Sequence, residues 1–505
     1  MVRGVEHLEQ RAREMGIELE ERPAERIVVT GYWMETPLGD TEATWDGFNK
    51  GRSGVINLSV PAGPEKSPYK IIDDPEDPRP LYKSNGMTDI AAPIIFDASQ
   101  HFGRRQLRGK VKLHRLGMYV GRKAADHAGI RGENGALTHY KSDEVGVWVG
   151  TGFGTSHRVI DVHDKVHQMQ RKKVNIVDEG GTQREEEVYV PGDIAEGAKH
   201  VRPLTGLTYF PEELSSAVED DLKIQGEGGT LFAACASGSV AIVEACKSIK
   251  SGRIKAAIVL PLEDALEDRP VESLVTFGAM QYAMSKKNED PQGASRPFDE
   301  KRDGFVLGSA AVGLVIESLE NALARGATIR AEIVGFRTSS DGGHPTNIDI
   351  DNVARTGIKA LYDQKAETFH KIDVIIAHGT GTLGSGELGG LDNDEPKGDA
   401  REAEAYRRIW SKEDLEDIVI TDNKGNIGHT AGASGGVSAV EAIMMIERGI
   451  IPPVRNLEKP DPKVSDLNFV VGKPLTRRVD CVYVPGHGFG GKTAILVFKR
   501  YEETA

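Results

Sequence analysis

The chain repeats its own plan. The stretches "VGVWVGTG" at 145–152 and "DVIIAHGTG" at 373–381 are each a β-branched strand running into a glycine turn. Likewise, "LFAACASGSVAIVEACKSIKSG" at 231–252 and "ITDNKGNIGHTAGASGGVSAVEAIMMIERG" at 420–449 are each a strand, a small-residue turn and an apolar-faced helix that closes on a charge and a glycine. The motifs occur in the same order in both halves, which predicts a duplicated α/β unit. A duplication sets equivalent turns face to face, so the turn around Cys235 is expected to meet groups roughly 190 residues further on.

Strands are predicted at 26–32, 144–154, 255–261, 308–318, 372–382 and 417–425, with a hairpin through the glycines of 481–501. The helical patterns between them predict layered sheets covered by helices. Residues 1–25 read as a charged helical extension, 26–319 as the first half and 320–505 as the second. Besides the extension, the Pro- and Asp-rich run at 61–80, the charged run at 171–193 and the run at 384–398 have the composition of surface loops.

Composition narrows the function. With 77 acidic against 63 basic residues, the net charge of -14 supplies no general basic field for nucleic acid. One local exception, "FGRRQLRGKVKLHR" at 102–115, gathers Arg104, Arg105, Arg108, Lys110, Lys112 and Arg115. It reads either as a solvated helical surface or as a contact for an anionic partner. No run reaches the roughly 18 apolar residues of a membrane span, and the first residues lack an apolar signal core. The three cysteines, Cys235, Cys246 and Cys481, are too scattered for a disulfide framework or a metal cluster. A cytoplasmic protein without a membrane span or an intrinsic cofactor is expected.

Cys235 ends an apolar strand and precedes a helix among small neighbours, where the positive end of the helix is expected to lower the thiol pKa. A nucleophile and a buried sulfur are both open readings of it; Cys246, inside an ordinary apolar helix pattern, reads as packing. His378 opens "HGTGT", with Thr380 and Thr382 on the same turn, and His429 follows "KGNIG". Either histidine alone reads as structural; together, in the echo of the cysteine's own half, they point to a Cys/His/His constellation. Lys424 near His429 would hold it neutral, and Asp399 or Glu402 would keep the lysine charged, although each alone also reads as a surface charge. The spacings match no compact zinc motif. "GHGFGGKTA" at 486–494 misses the phosphate-loop spacing, and backbone N–H groups at Phe489 and Cys235 would form an oxyanion hole.

These motifs, with "VVTGYWMETPLGD", "AACASGS", "SKKNEDPQGASRPFDEKRDGFVLGSAA", "AHGTGT", "KGNIGHTAGASGG" and "GFGG", give a chain that resembles the elongating β-ketoacyl-[acyl-carrier-protein] synthases from Arg26 to Tyr501. The resemblance implies a thiolase-like fold of duplicated halves in a layered α-β-α-β-α arrangement. It implies a homodimer that catalyses decarboxylative Claisen condensation of an acyl thioester with malonyl-acyl carrier protein, in fatty acid or polyketide synthesis. Cys235 would carry the acyl chain, His378 and His429 would serve the malonyl thioester, and Lys424 with Glu402 would organise the site. Thr380 and Thr382 would line the tunnel for the phosphopantetheine arm brought by the carrier, and Phe489 would gate the acyl pocket. Arg104, Arg105 and Arg108 would lie near the tunnel entrance and dock the carrier.

Related branches fit less well. Thiolases use a second cysteine near the carboxyl end, but Cys481 opens a strand and reads as packing. The initiating branch carries asparagine where this chain has His429. A non-catalytic chain-length or scaffold partner, the alternative function, typically loses the nucleophile. The chain departs from the family pattern at Ser309 and Ala310 in place of glutamate and glycine, at Pro485, Gly486 and His487 in place of an Asn-Ser-Phe run, and at "VLPLED", which lacks a glycine pair. These changes bear on chain-length preference and rate.

Overall fold

The computed structural model describes residues 2–19, 25–58, 88, 90–155, 170–177, 183–190, 210–266, 274, 277, 283–287, 289–343, 345–364, 371–383 and 398–503. Ten strands form one sheet: β1 (Ile27–Glu35), β2 (Val145–Gly150), β3 (Gly228–Leu231), β4 (Ala256–Glu263), β5 (Ala310–Ser318), β6 (Ala331–Ser340), β7 (Val374–Ile376), β8 (Val419–Thr421), β9 (Cys481–Gly488) and β10 (Lys492–Lys499). Their spatial order is β8-β7-β9-β10-β6-β1-β5-β4-β2-β3.

That order makes the duplication visible. From the centre outward, β1-β5-β4-β2-β3 pairs antiparallel, antiparallel, parallel, parallel. The other half, β6-β10-β9-β7-β8, repeats the same sequence of pairings. The two meet edge to edge where β1 pairs antiparallel with β6. The expected 481–501 hairpin is β9 and β10, paired from Cys481 with Lys499 to Gly488 with Lys492.

Two helices occupy the space between the half-sheets, α4 (Ser237–Lys250) and α7 (Ser434–Arg448). Every residue of α7 from Ser434 to Ile446 is buried, as a helix packed on all sides requires. Outside the first half lie α2 (Lys112–Ala128) and α3 (Glu213–Leu222), and outside the second lie α5 (Ile350–Tyr362) and α6 (Asp399–Ile409). Strand alternation divides the core accordingly: on β9, Val482 and Val484 join the cluster around α7, while Cys481 and Tyr483 join the outer cluster with α5 and α6. The layers are thus helix, sheet, helix, sheet, helix.

The amino-terminal helix, α1 (Val2–Glu14), is docked on the outer cluster of the second half through Leu8 and Ala12, one helical turn apart. The charged run at 171–193 is corrected in part: its backbone forms an antiparallel ribbon, Gln170–Val177 with Gln183–Val190. Composition conceals this pairing. The one local cue is the Gly-Gly turn signal at 180–181 between the two strands. The runs at 61–80 and 384–397 lie outside the described residues. Among the described residues no helix is long and apolar enough to cross a membrane.

Candidate active site

The sequence echo becomes a pair of facing elbows. β3 leads into a single turn at Ala234–Ala236 and then α4; in the other half, a turn at Ala431–Ala433 leads into α7. Both turns open on a residue that is not glycine with positive φ, +49° at Ala234 and +39° at Ala431, a conformation that costs roughly 1–2 kcal/mol. The Ser237 hydroxyl braces the first, accepting from Ala233 N at 2.8 Å and donating to the Ala234 carbonyl at 2.6 Å. Only small residues fit between the elbows. A methyl group on Gly432 would stand 2.2 Å from Gly152 N, and one on Gly238 would stand 2.7 Å from the Gly432 carbonyl oxygen. Pro261, in the segment without the family's glycine pair, fills the space beside Gly238 and Gly436.

Glu263, at the end of β4, ties these turns together. Its Oε2 accepts from Gly152 N at 2.7 Å and from Gly432 N at 3.0 Å. Burial pushes its pKa up to about 8 against the donors at Gly152, Gly432 and Phe153. The folded protein therefore keeps a proton that the unfolded chain releases from about pH 4.5, so this group's contribution to stability falls as pH rises from there to about 8. Glu263→Gln cannot ionise, so its melting temperature relative to wild type is expected to be higher at pH 9 than at pH 6. A gap between the two proteins that does not change over that range would refute the assignment.

His378 lies two residues past the end of β7, and its turn is held by two carboxylates from the first turn of α6. Glu402 accepts from His378 N at 2.7 Å, from Gly379 N at 2.9 Å and from the Tyr406 hydroxyl at 2.5 Å. Asp399 accepts from Thr380 N and Gly381 N, each at 3.1 Å, and from Phe298 N at 2.8 Å. Both carboxylates therefore position the backbone, and the carboxylate that faces Lys424 is Asp422, 3.6 Å from its Nζ. The expected coupling of Lys424 to Glu402 is therefore through its charge, which works against the burial that raises the Glu402 pKa, while the ion pair is made with Asp422 and not with Asp399. Burial raises Glu402 and Asp422 to about 7 each.

His429 is pinned by the segment before β5: its N donates to the Val306 carbonyl at 2.6 Å, and Gly308 N donates to its own carbonyl at 3.0 Å. Its Nδ1 lies 3.2 Å from Ser434 Oγ. The His378 and His429 rings stand 5.4 Å apart, edge to face. Burial first, then the Lys424 charge, push His429 down to about 3 and His378 well below its ordinary value. Both imidazoles are neutral at pH 7. The Lys424 effect has the expected sign, but burial is the larger cause.

Cys235 shares one cavity of about 90 Å³ with His378, His429, Thr380, Thr382 and Phe489. The two threonine hydroxyls are 3.0 Å apart. Phe489 packs against an apolar cluster that includes Leu266, Leu274, Phe277 and Phe305. A methyl group on Gly488 would stand 3.2 Å from Cys235 N, so the Phe489 turn lies against the elbow. The thiol itself is corrected: burial, reinforced by Glu263, pushes its pKa up to about 12 despite the lowering by Lys424. Desolvation where the half-buried thiol meets the cavity wall outweighs the helix end.

Cys246 and Cys481 are fully buried in different core clusters. Arg104, Arg105 and Arg108 are exposed, on and beside a one-turn helix, and none of the three lines the cavity. Lys112 turns inward from the same run to Asp264, at 2.6 Å, whose other oxygen accepts from Ser309 at 2.7 Å. Sequence reasoning missed the anchoring by Glu263 and the place of His487 in the cavity. The signals were an acidic pair, Glu263 and Asp264, ending an apolar strand and an imidazole where the family has an apolar ring.

The family description "Beta-ketoacyl synthase, N-terminal domain" matches residues 24–322, and "Beta-ketoacyl synthase, C-terminal domain" matches 330–458. The chain is 31% identical over 481 residues to the 3-oxoacyl-[acyl-carrier-protein] synthase 2 of Synechocystis sp., covering 94% of this chain and 98% of that protein. It is 28% identical to the protein of that name from Vibrio harveyi, over 95% of this chain and 99% of the other. A crystal structure of a beta-ketoacyl synthase from Burkholderia phymatum superposes with a TM-score of 0.74 at 26% identity, covering 95% of this chain and all of that one. The first family match contains the Cys235 elbow and the second contains both histidine turns, in the order the duplicated fold requires, so the chain belongs to the beta-ketoacyl synthase family.

Proposed function

We propose that the protein condenses an acyl thioester with malonyl-acyl carrier protein to give a 3-ketoacyl-carrier protein and carbon dioxide. The observation that carries the reading is one cavity holding the Cys235 thiol with two neutral imidazoles. In the first step Cys235 Sγ attacks the acyl thioester, the acyl–sulfur bond to the carrier arm breaks, and the thiol proton leaves on that arm. Cys235 is held as a thiol at rest, so ionisation accompanies the transfer. In the second step the malonyl unit loses carbon dioxide, and the electron pair left behind forms an enolate. The carbon attacks the Cys235 thioester, and the thiolate leaves and takes a proton from solvent.

His378 and His429 donate to the enolate oxygen, where neutral donors stabilise developing negative charge without protonating it. The Cys235 and Phe489 N–H groups do the same for the tetrahedral oxyanion. Glu402 positions His378, and Thr380 and Thr382 line the path of the phosphopantetheine arm. The exposed Arg104, Arg105 and Arg108 are a local reversal of an acidic chain and steer an acidic carrier, an attraction that salt screens. The active assembly is a cytoplasmic homodimer.

Purified protein mixed with acyl and malonyl carrier proteins is expected to release carbon dioxide and form the ketoacyl product. Neither product appearing, with correctly modified carriers, would favour a chain-length or scaffold role. In the same system, an unchanged carrier KM at low salt in the Arg104→Glu, Arg108→Glu double variant would remove the docking assignment. A monomer in sedimentation at micromolar concentration would remove the dimer.

A further inference from the structure

His487 stands where the family pattern has an apolar ring, and strand geometry turns it into the cavity. Its neighbours on β9 face the Cys235 helix: a methyl group on Gly486 would stand 3.1 Å from the Ser239 hydroxyl, and one on Gly488 3.2 Å from Cys235 N. Alternation sends the His487 side chain to the opposite face, beside Thr493 across the ladder. There its ring lies 5.3 Å from that of His378, edge to face. His378 therefore touches an imidazole on each side, His429 and His487.

The ring is 3% exposed, and it lines the same cavity as Cys235 and Thr380. Its Nδ1 lies 3.4 Å from Thr493 Oγ1, whereas its buried Nε2 has no hydrogen-bond partner among the described residues. Burial, then Lys424, hold the ring neutral, with a pKa lowered to about 3. In the tautomer in which the Thr493 hydroxyl is the donor to Nδ1, the ring proton sits on Nε2 and needs an acceptor. A buried polar nitrogen left unpaired costs about 1–3 kcal/mol, and a substrate acceptor removes that cost. An alkyl chain offers none, and the thioester oxygen is served by His378 and His429. The amide carbonyls of the arm run past Thr380 and Thr382, and the strongest acceptor on the malonyl unit besides its thioester is the carboxylate.

We propose that His487 recognises the carboxylate of the malonyl unit, its Nε2–H donating to a carboxylate oxygen, which makes it a specificity-determining residue of the extender site. The inference rests on the condensation reading above. A contact with the carboxylate exists before decarboxylation and is lost with the carbon dioxide. It belongs to ground-state binding, so its removal raises KM more than it lowers kcat.

The test compares wild type, His487→Phe and His487→Gln in two measurements. First, malonyl and acetyl pantetheine amides, which bind without transferring an acyl group, protect Cys235 from alkylation by iodoacetamide. In wild type the malonyl amide is expected to protect at lower concentration than the acetyl amide. In His487→Phe its half-protection concentration should rise about tenfold, the worth of one hydrogen bond, with the acetyl value changing less than about twofold. His487→Gln keeps a donor and should regain most of the preference, and it also serves if the phenylalanine variant fails to fold. Second, the malonyl-carrier KM in condensation should rise in His487→Phe while the rate of Cys235 acylation is unchanged. Equal protection by the two amides in wild type, or a malonyl preference that survives in both variants, overturns the proposal. A preference that is present in wild type and lost in His487→Phe, without ketoacyl product from the wild-type protein, leaves the carboxylate site standing and removes the condensation reading.

Discussion

Cys235→Ala is expected to abolish ketoacyl product, with kcat lower by on the order of 10⁴-fold or more, the scale seen when a covalent nucleophile is removed. The loss should be chemical and not structural. Cys235 is half-buried on a turn between two alanines, so removing one sulfur creates little cavity. Its elbow is held by Ser237 and by contacts with Gly432 and Pro261 that do not use the thiol. Cys246→Ala makes the opposite control: its sulfur is fully buried between the half-sheets, so a stability loss of about 1 kcal/mol with activity kept is expected. Intact-mass analysis after mixing with an acyl donor should place the adduct on Cys235 in wild type and Cys246→Ala, and show none in Cys235→Ala. An adduct that persists without Cys235, or maps to Cys246 or Cys481, would sink the assignment.

His378→Ala and His429→Ala are each expected to lower the condensation rate by about 10²- to 10³-fold, the loss measured for removal of one oxyanion donor. Acylation of Cys235 should survive, because in the proposed reaction these donors act on the malonyl thioester. The tautomers follow from the local contacts. His487 N donates to His378 Nδ1 at 3.5 Å, so the His378 ring presents Nε2–H to the cavity, and His429 does the same in the tautomer in which the Ser434 hydroxyl, 3.2 Å from its Nδ1, is the donor. With His429 held near 3 and His378 also far below 6.5, the rate should show no fall as pH drops through 6.5. An acid limb centred there in wild type, absent from either alanine variant, would mean that a histidine titrates near 6.5 and is not held neutral by burial, and a rate that instead rises as pH drops through 6.5 would mean that one works as an imidazolium.

Much of this was legible because it is local. The duplication follows from strand, turn and helix patterns within about 30 residues, and the sheet reproduces it strand for strand. The same turns single out Cys235, His378 and His429, since a reactive side chain needs small neighbours and a helix start beside it. What decides their chemistry is not local. Glu263 is joined to Gly152 and Gly432 across 111 and 169 residues, and no periodicity marks which acid will be dehydrated among backbone amides. Lys424 was expected to meet Glu402 and does act on it by charge, yet the Glu402 hydrogen bonds go to the His378 turn and the ion pair is made with Asp422. The helix end beside Cys235 suggested a low pKa, but the cavity wall comes from the other half of the chain and desolvation reverses the sign. Sequence thus determined which groups are present and on which turns. Only the tertiary structure decided their protonation and their partners, because both depend on how much water the opposing half removes.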